Sequence, residues 1–371
     1  MKFIKSLKPA FIFSTFLAFT AAANAQTATP TPPPDEGEVI KVSSRLVVVP
    51  VSVTTPVGDP VLGLTEKDFR VLEEGKQQTL EKVGTADVVP LEIALLFDVS
   101  ASTDAMFKFE QETAAKFLKE VLRSDDRATI YTVGQKPLLV QARDTADRSI
   151  ASLTNISATK GATAFFDTVR TAANYLRSNS PAGRRKVVVV ISDGEDNFSE
   201  GVQNAQRTAE SKIANNEPDP EYKRLGKLVV QAQNAAKGEE RKKVLRALQD
   251  ADAVFYSVNP AGSSYQLNQI SVFGQENMEQ FANQTGGTAF LPKFLPIDTR
   301  DELQNTGNLR KNTAVLETIF KQLANELRAQ YLIQYYSEPD YPQNKFIKLN
   351  VSLQNPADRH VRARQGYYVK Q

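Results

Sequence analysis

The chain has 371 residues, 41% hydrophobic and 24% charged, the composition of a folded protein of two or three domains and not of a disordered chain. Zero cysteines exclude disulfide frameworks, thiolate metal sites and cysteine nucleophiles, and a single histidine, His360, excludes polyhistidine metal centres and leaves a Ser-His-Asp triad little support. With 45 basic against 43 acidic residues, the net charge of +2 points to no nucleic-acid partner.

The N-terminus carries Lys2, Lys5 and Lys8, an apolar run from Phe11 to Ala22, and Ala23-Asn24-Ala25 before Gln26. This is the layout of a cleavable export signal over residues 1–25, and the apolar run is shorter than the roughly 20 residues that a membrane span needs. Cleavage after Ala25 removes three lysines and no acids, leaving 42 basic against 43 acidic residues. An exported, periplasmic or secreted protein that does not span a membrane is expected. Residues 26–43, with Pro30 and Pro32-Pro33-Pro34, read as an extended linker.

Residues 44–88 read as N-terminal β-strands. Arg45 to Val53 is β-branched and apolar, Pro56 to Pro60 supplies a turn, and Phe69–Glu73 with Gln78–Val83 alternate around Glu74-Gly75-Lys76 as a hairpin. After Pro90 the run Leu91–Phe97 is almost continuously apolar, as in a strand covered on both faces. Further apolar runs at 128–133, 186–191 and 253–258, and shorter ones at 138–142 and 288–291, alternate with helical periodicity after residue 103 and at 163–177, 278–284 and 315–327. That alternation over 90–335 predicts an α/β fold, a doubly wound, mostly parallel sheet, with ligands at the carboxyl ends of its strands. Residues 207–248 interrupt the pattern with ten basic and six acidic residues, and read as an inserted, solvated helical hairpin. Residues 336–371 return to strand-like runs without helices; they are expected to form an antiparallel β-domain together with 44–88.

Three oxygen-bearing side chains, Asp98, Ser100 and Ser102, stand at alternate positions directly after the first central strand. Thr163 follows sixty-five residues later at the start of a helix, and Asp193 thirty beyond that, in Ser192-Asp193-Gly194 after another strand. All five lie in loops at one predicted sheet edge. Two carboxylates and three hydroxyls form an all-oxygen set suited to Mg²⁺, Mn²⁺ or Ca²⁺, not to zinc or copper. Glu195 and Asp196 read as a solvated loop beside it, and His360 as a surface residue. Ser157-Ala158-Thr159-Lys160 has the S-x-x-K spacing of penicillin-binding proteins but no K-T-G or S-D-N partner. No glycine-rich nucleotide loop is present.

The set Asp98-x-Ser100-x-Ser102, Thr163 and Asp193 resembles the metal-ion-dependent adhesion site of von Willebrand factor type A domains. The segments Leu62–Lys76 and Arg364–Tyr368 are similar to exported bacterial proteins of the acidobacterial-type VWFA-related group. The resemblance implies that Ser100 and Ser102 bind a divalent cation directly, Thr163 directly or through water, and Asp98 and Asp193 mainly through water, with Mg²⁺ the first expectation. It further implies a non-enzymatic adhesion module whose cation meets a carboxylate from a partner protein. The alternatives are a scaffold subunit of an envelope complex, or a metal-dependent hydrolase using water beside Asp193 or Glu195.

Overall fold

The computed structural model describes residues 45–100, 104–159, 161–214, 222–259, 269–297 and 299–370. The expected export signal and linker, Ser102 of the candidate site and Lys160 of the S-x-x-K run lie outside the described residues.

The first strands are β1 (Arg45–Thr54), β2 (Phe69–Glu73), β3 (Lys76–Gln77) and β4 (Leu80–Thr85). The last are β11 (Tyr331–Ser337), β12 (Phe346–Leu353), β13 (His360–Ala363) and β14 (Gly366–Tyr368). They interleave in two antiparallel sheets of order β13-β1-β11-β4 and β14-β12-β2-β3. The alternate valines of β1, Val47, Val49, Val51 and Val53, face inward with Val71, Ile333 and Ile347 as one apolar core. Glu73 is fully buried in that core, but its carboxylate accepts hydrogen bonds from Tyr335 Oη (2.5 Å) and Ser337 Oγ (2.6 Å). A buried acid is tolerable only when so bonded, and here the bonds tie one sheet to the other.

The predicted hairpin forms differently. β2 pairs with the two-residue β3, whereas β4 leaves for the other sheet and pairs with β11. Only the alternation within each run was local information; which sheet each run joins is decided by distant partners. The strand β11 pairs antiparallel with β1, so antiparallel pairing resumes directly after Gln330.

Between these strands lies a six-stranded sheet of order β10-β9-β8-β5-β6-β7, built from β5 (Leu91–Asp98), β6 (Arg127–Val133), β7 (Leu138–Asp144), β8 (Arg185–Ile191), β9 (Ala253–Val258) and β10 (Ala289–Phe290). It is parallel except for the edge strand β7. Every residue of β5 is buried, because helices cover both faces. On one face Ile93, Leu95 and Phe97 pack with α1 (Asp104–Val121), α2 (Ala146–Thr154) and α7 (Glu302–Ala329). On the other, Ala94 and Leu96 pack with α3 (Phe165–Asn179), α5 (Tyr222–Asp250) and α6 (Gln269–Thr285). The protein is therefore α/β with an accompanying antiparallel β-domain.

The stretch read as a solvated hairpin is only half so. The helices α4 (Glu200–Ala214) and α5 do run through it, and Leu228 and Val230 of α5 are exposed. The second half of α5 buries Val244 and Leu248 against the sheet, so it is a covering helix of the α/β unit. Its many charges hid that face, because lysine and arginine stems can flank an apolar stripe.

Candidate functional site

β5 delivers Asp98 to the carboxyl edge of the sheet, where Val99 N–H still bonds to Val133 O of β6 (3.1 Å) and holds the following loop in place. Asp98 is buried, 7% exposed, and its carboxylate is fully engaged. One oxygen accepts hydrogen bonds from Ser100 N (2.9 Å) and Ser100 Oγ (2.7 Å). The other accepts from Ser192 Oγ (2.6 Å), which in turn accepts from Gly194 N (3.1 Å). Two loops ninety-odd residues apart thus share one carboxylate.

Thr163 joins the same assembly from the start of α3. Its N–H donates to Asn197 Oδ1 (2.8 Å), its hydroxyl donates to Glu195 O (2.9 Å), and its carbonyl accepts from Asn197 N and Phe198 N. Asp193 accepts from Glu195 N (2.9 Å) within the turn. Gly194 has φ +75°, and α6 approaches there so closely that a Cβ on Gly274 would lie 2.7 Å from Asp193 O. Glycine on both sides lets helix backbone lie on turn backbone, which fixes where Asp193 stands.

Of the five predicted residues, Asp98 and Ser100 bond to each other, Asp98 bonds to Ser192 beside Asp193, and Thr163 bonds to the Glu195 carbonyl two residues after Asp193; Ser102 is not among the described residues. The structure also adds side chains that the spacing did not single out. Ser192 is one. Asp196, expected in a solvated loop, is buried: it accepts from Phe166 N (2.8 Å), Ser199 N (3.1 Å) and Ser199 Oγ, and so caps the start of α3. Glu110 of α1 is also buried, and the charges of Asp98 and Asp193 reach it.

Electrostatically, the site is a knot of acids held out of water. Burial pushes the Asp98 carboxyl above the ordinary carboxylate range against the opposing hydrogen bonds of Ser192 and Ser100, and the charge of Glu195 adds to the rise. Burial likewise lifts Asp193 to about 7, with Asp98 and Glu195 adding to it. Glu110 is raised well above its usual value, first by burial and then by Asp98 and Asp193. Among the described residues, no lysine or arginine pairs with Asp98 or Asp193. Desolvated acids that repel one another, set among hydroxyls, fit a hard divalent cation. The described residues hold no cluster of three or more His, Asp or Glu side chains of metal-site geometry, so hydroxyls are needed in any such donor set.

Residues 93–195 match the von Willebrand factor type A domain. The matched span opens in β5 and closes just past the Asp193-Gly194 turn, so all five predicted site residues lie within it. No curated protein matches the chain. Among solved structures, it is similar to the PilB minor pilin from Streptococcus sanguinis, at 15% identity over 66% of this chain and 63% of that one, with a TM-score of 0.40. It is similar to the vWF domain of the type V pili tip protein Mfa5 from Porphyromonas gingivalis, at 11% identity over 65% of this chain and 96% of that one, with a TM-score of 0.39. A third is proximal thread matrix protein 1 from the mussel byssus with a zinc-occupied MIDAS motif, at 10% identity, 69% and 50% coverage and a TM-score of 0.40. The chain spans less than two thirds of the pilin's length. No helix among the described residues is long and apolar enough to cross a membrane.

Proposed function

We propose that this chain is an exported, non-enzymatic protein-binding module of the VWFA-related kind. It holds a divalent cation, Mg²⁺ before Mn²⁺ or Ca²⁺, with Asp98, Ser100, Ser102, Thr163 and Asp193, and offers it to a carboxylate of a partner protein. The observation that carries this reading is the sharing of buried Asp98 between Ser100 and Ser192, with Thr163 stapled to the same turn.

The protein's part in that function follows from where its protons are. The hydroxyls of Ser100 and Thr163 already donate their hydrogens, to Asp98 Oδ1 and Glu195 O, so their remaining lone pairs can face a cation. Ser192 and the Ser100 N–H hold the Asp98 carboxylate in one orientation. When bound, the cation supplies a positive, oxygen-seeking vertex. Neutral hydroxyl ligands leave most of its charge for an anionic oxygen from outside. The match of residues 93–195 to a binding-domain family supports adhesion or protein binding over hydrolysis, and the signal-like residues 1–25 support export to the envelope or the medium.

Thermal melts with Mg²⁺ and with EDTA test this. Mg²⁺ is expected to raise the melting temperature of the wild type and to leave Asp98→Ala and Thr163→Ala unmoved. Equal responses in all three proteins would dismiss the site. A pull-down of envelope and secreted proteins should recover its partner in Mg²⁺ and lose it in EDTA or with Ser100→Ala.

A further inference from the structure

At the other end of the parallel sheet, a cavity of about 510 Å³ lies between β1 and β11 on one side and the first residues of β8 and β9 on the other. Its apolar wall is the outward row of β1. Because Val47 and Val49 face the β-domain core, Leu46 and Val48 must point the opposite way, and they are 48% and 37% exposed. Tyr367 and Tyr368 of β14 also line it.

The polar wall is one-sidedly cationic. Arg45, Arg184, Arg185, Lys186, Arg364 and Lys370 line the cavity against a single carboxylate, Asp252. Asp252 is taken by Arg364 (3.0 Å) and Lys370, and Arg184 sits on the buried Glu92. Arg45, Arg185 and Lys186 have no ion-pair partner among the described residues. Four lining residues also carry buried N–H groups without an acceptor among the described residues: Arg45 Nη1, Arg185 Nε, Arg364 Nε and Gln249 Nε2, the last on a side chain of a residue only 6% exposed. No lining oxygen is in that state. What the wall lacks is acceptors and negative charge, and each buried donor left without an acceptor is costly.

We propose that this cavity binds a small organic anion, a phosphate- or carboxylate-bearing molecule with a flat apolar body. Its charged end is met by Arg45, Arg185 and Lys186, and its body lies against Leu46 and Val48. The volume is that of an ordinary small-ligand site. Burial lowers Lys186 below its usual range and Arg185 to about 10, and an anion compensates the desolvation that causes both shifts. Since β1 and β14 belong to the antiparallel sheets and β8 to the parallel one, the bound anion bridges the β-domain and the α/β unit.

Phenyl phosphate and phthalate, titrated calorimetrically into the full chain in EDTA, test this, with benzyl alcohol as the uncharged control. At least one anion is expected to bind saturably with a Kd under about 1 mM, and benzyl alcohol not at all. Tighter binding of phenyl phosphate identifies a phosphorylated ligand, tighter binding of phthalate a carboxylated one. Arg45→Gln and Lys186→Gln are each expected to weaken binding about ten-fold. Hydrogen exchange on the wild type, which needs no variant to fold, should show new protection at 183–187 and 364–368 and none at 98–100. Binding of neither anion, unchanged affinity in both variants, or protection elsewhere overturns the proposal. EDTA keeps this outcome separate from the fate of the cation site.

Discussion

Replacing Ser192 by alanine takes from Asp98 its only hydrogen bond to the neighbouring loop among the described residues. Removing one donor from a buried carboxylate costs about 1–3 kcal/mol, so Ser192→Ala should unfold at lower urea with an unchanged slope; a midpoint equal to the wild type would contradict the shared-carboxylate geometry. The raised acids make a second prediction. A carboxyl with a folded pKa near 7, against about 3.9 unfolded, binds more protons in the folded chain, so metal-free stability falls as pH rises from about 4 to about 7 and levels off above. Asp98 and Glu110 shift in the same direction. Melts in EDTA at pH 5 and pH 7.5 should show the drop, smaller in Asp193→Asn. A wild type equally stable at both would count against burial of these acids. At this scale Asp98, Ser100, Thr163 and Asp193 were legible because each occupies a fixed place after a strand or before a helix. Ser192, Asp196 and Glu110 were not, because a serine or an acid gives no local sign that a distant loop will bury it.

The elements around the site are set by backbone contact as much as by side chains. α6 touches the Asp193-Gly194 turn through Gly274, where an added Cβ would meet three backbone atoms within 3 Å. Backbone cannot swing aside as a side chain can, so Gly274→Ala should displace α6 or the turn at a cost of about 1–3 kcal/mol and blunt any Mg²⁺-dependent stabilisation. Denaturant unfolding with and without Mg²⁺ checks both effects; wild-type behaviour in both would show the contact to be slack. The strands and most helices were readable from period, since β5, β8 and β9 are mostly apolar runs. The charged α5 was misread as solvated along its whole length, and β4 was assigned to the wrong neighbour. In each case the local pattern fixes the type of element, whereas its neighbours come from elsewhere in the chain.

For the molecule as a whole, the first and last strands stand or fall together. Among the described residues β2 has β12 as its only long partner, while β1 keeps β11 even without β13. Ending the chain before Tyr341 should therefore strip amide protection from 69–73 more than from 45–51, as read by hydrogen exchange; undiminished protection at 69–73 would mean that β2 is held by something else. The sequence by itself determined the α/β alternation, the strand-rich ends and the placing of the candidate oxygen-bearing side chains in loops at one sheet edge, since hydrophobic period and turn chemistry are short-range properties. Only the tertiary structure decided that Ser192 shares Asp98, that β4 joins β11, and that Arg45, Arg185, Asp252 and Arg364 line one cavity. Those are contacts between residues tens to hundreds of positions apart, and the burial that gives them their energies exists only once the chain has closed around them.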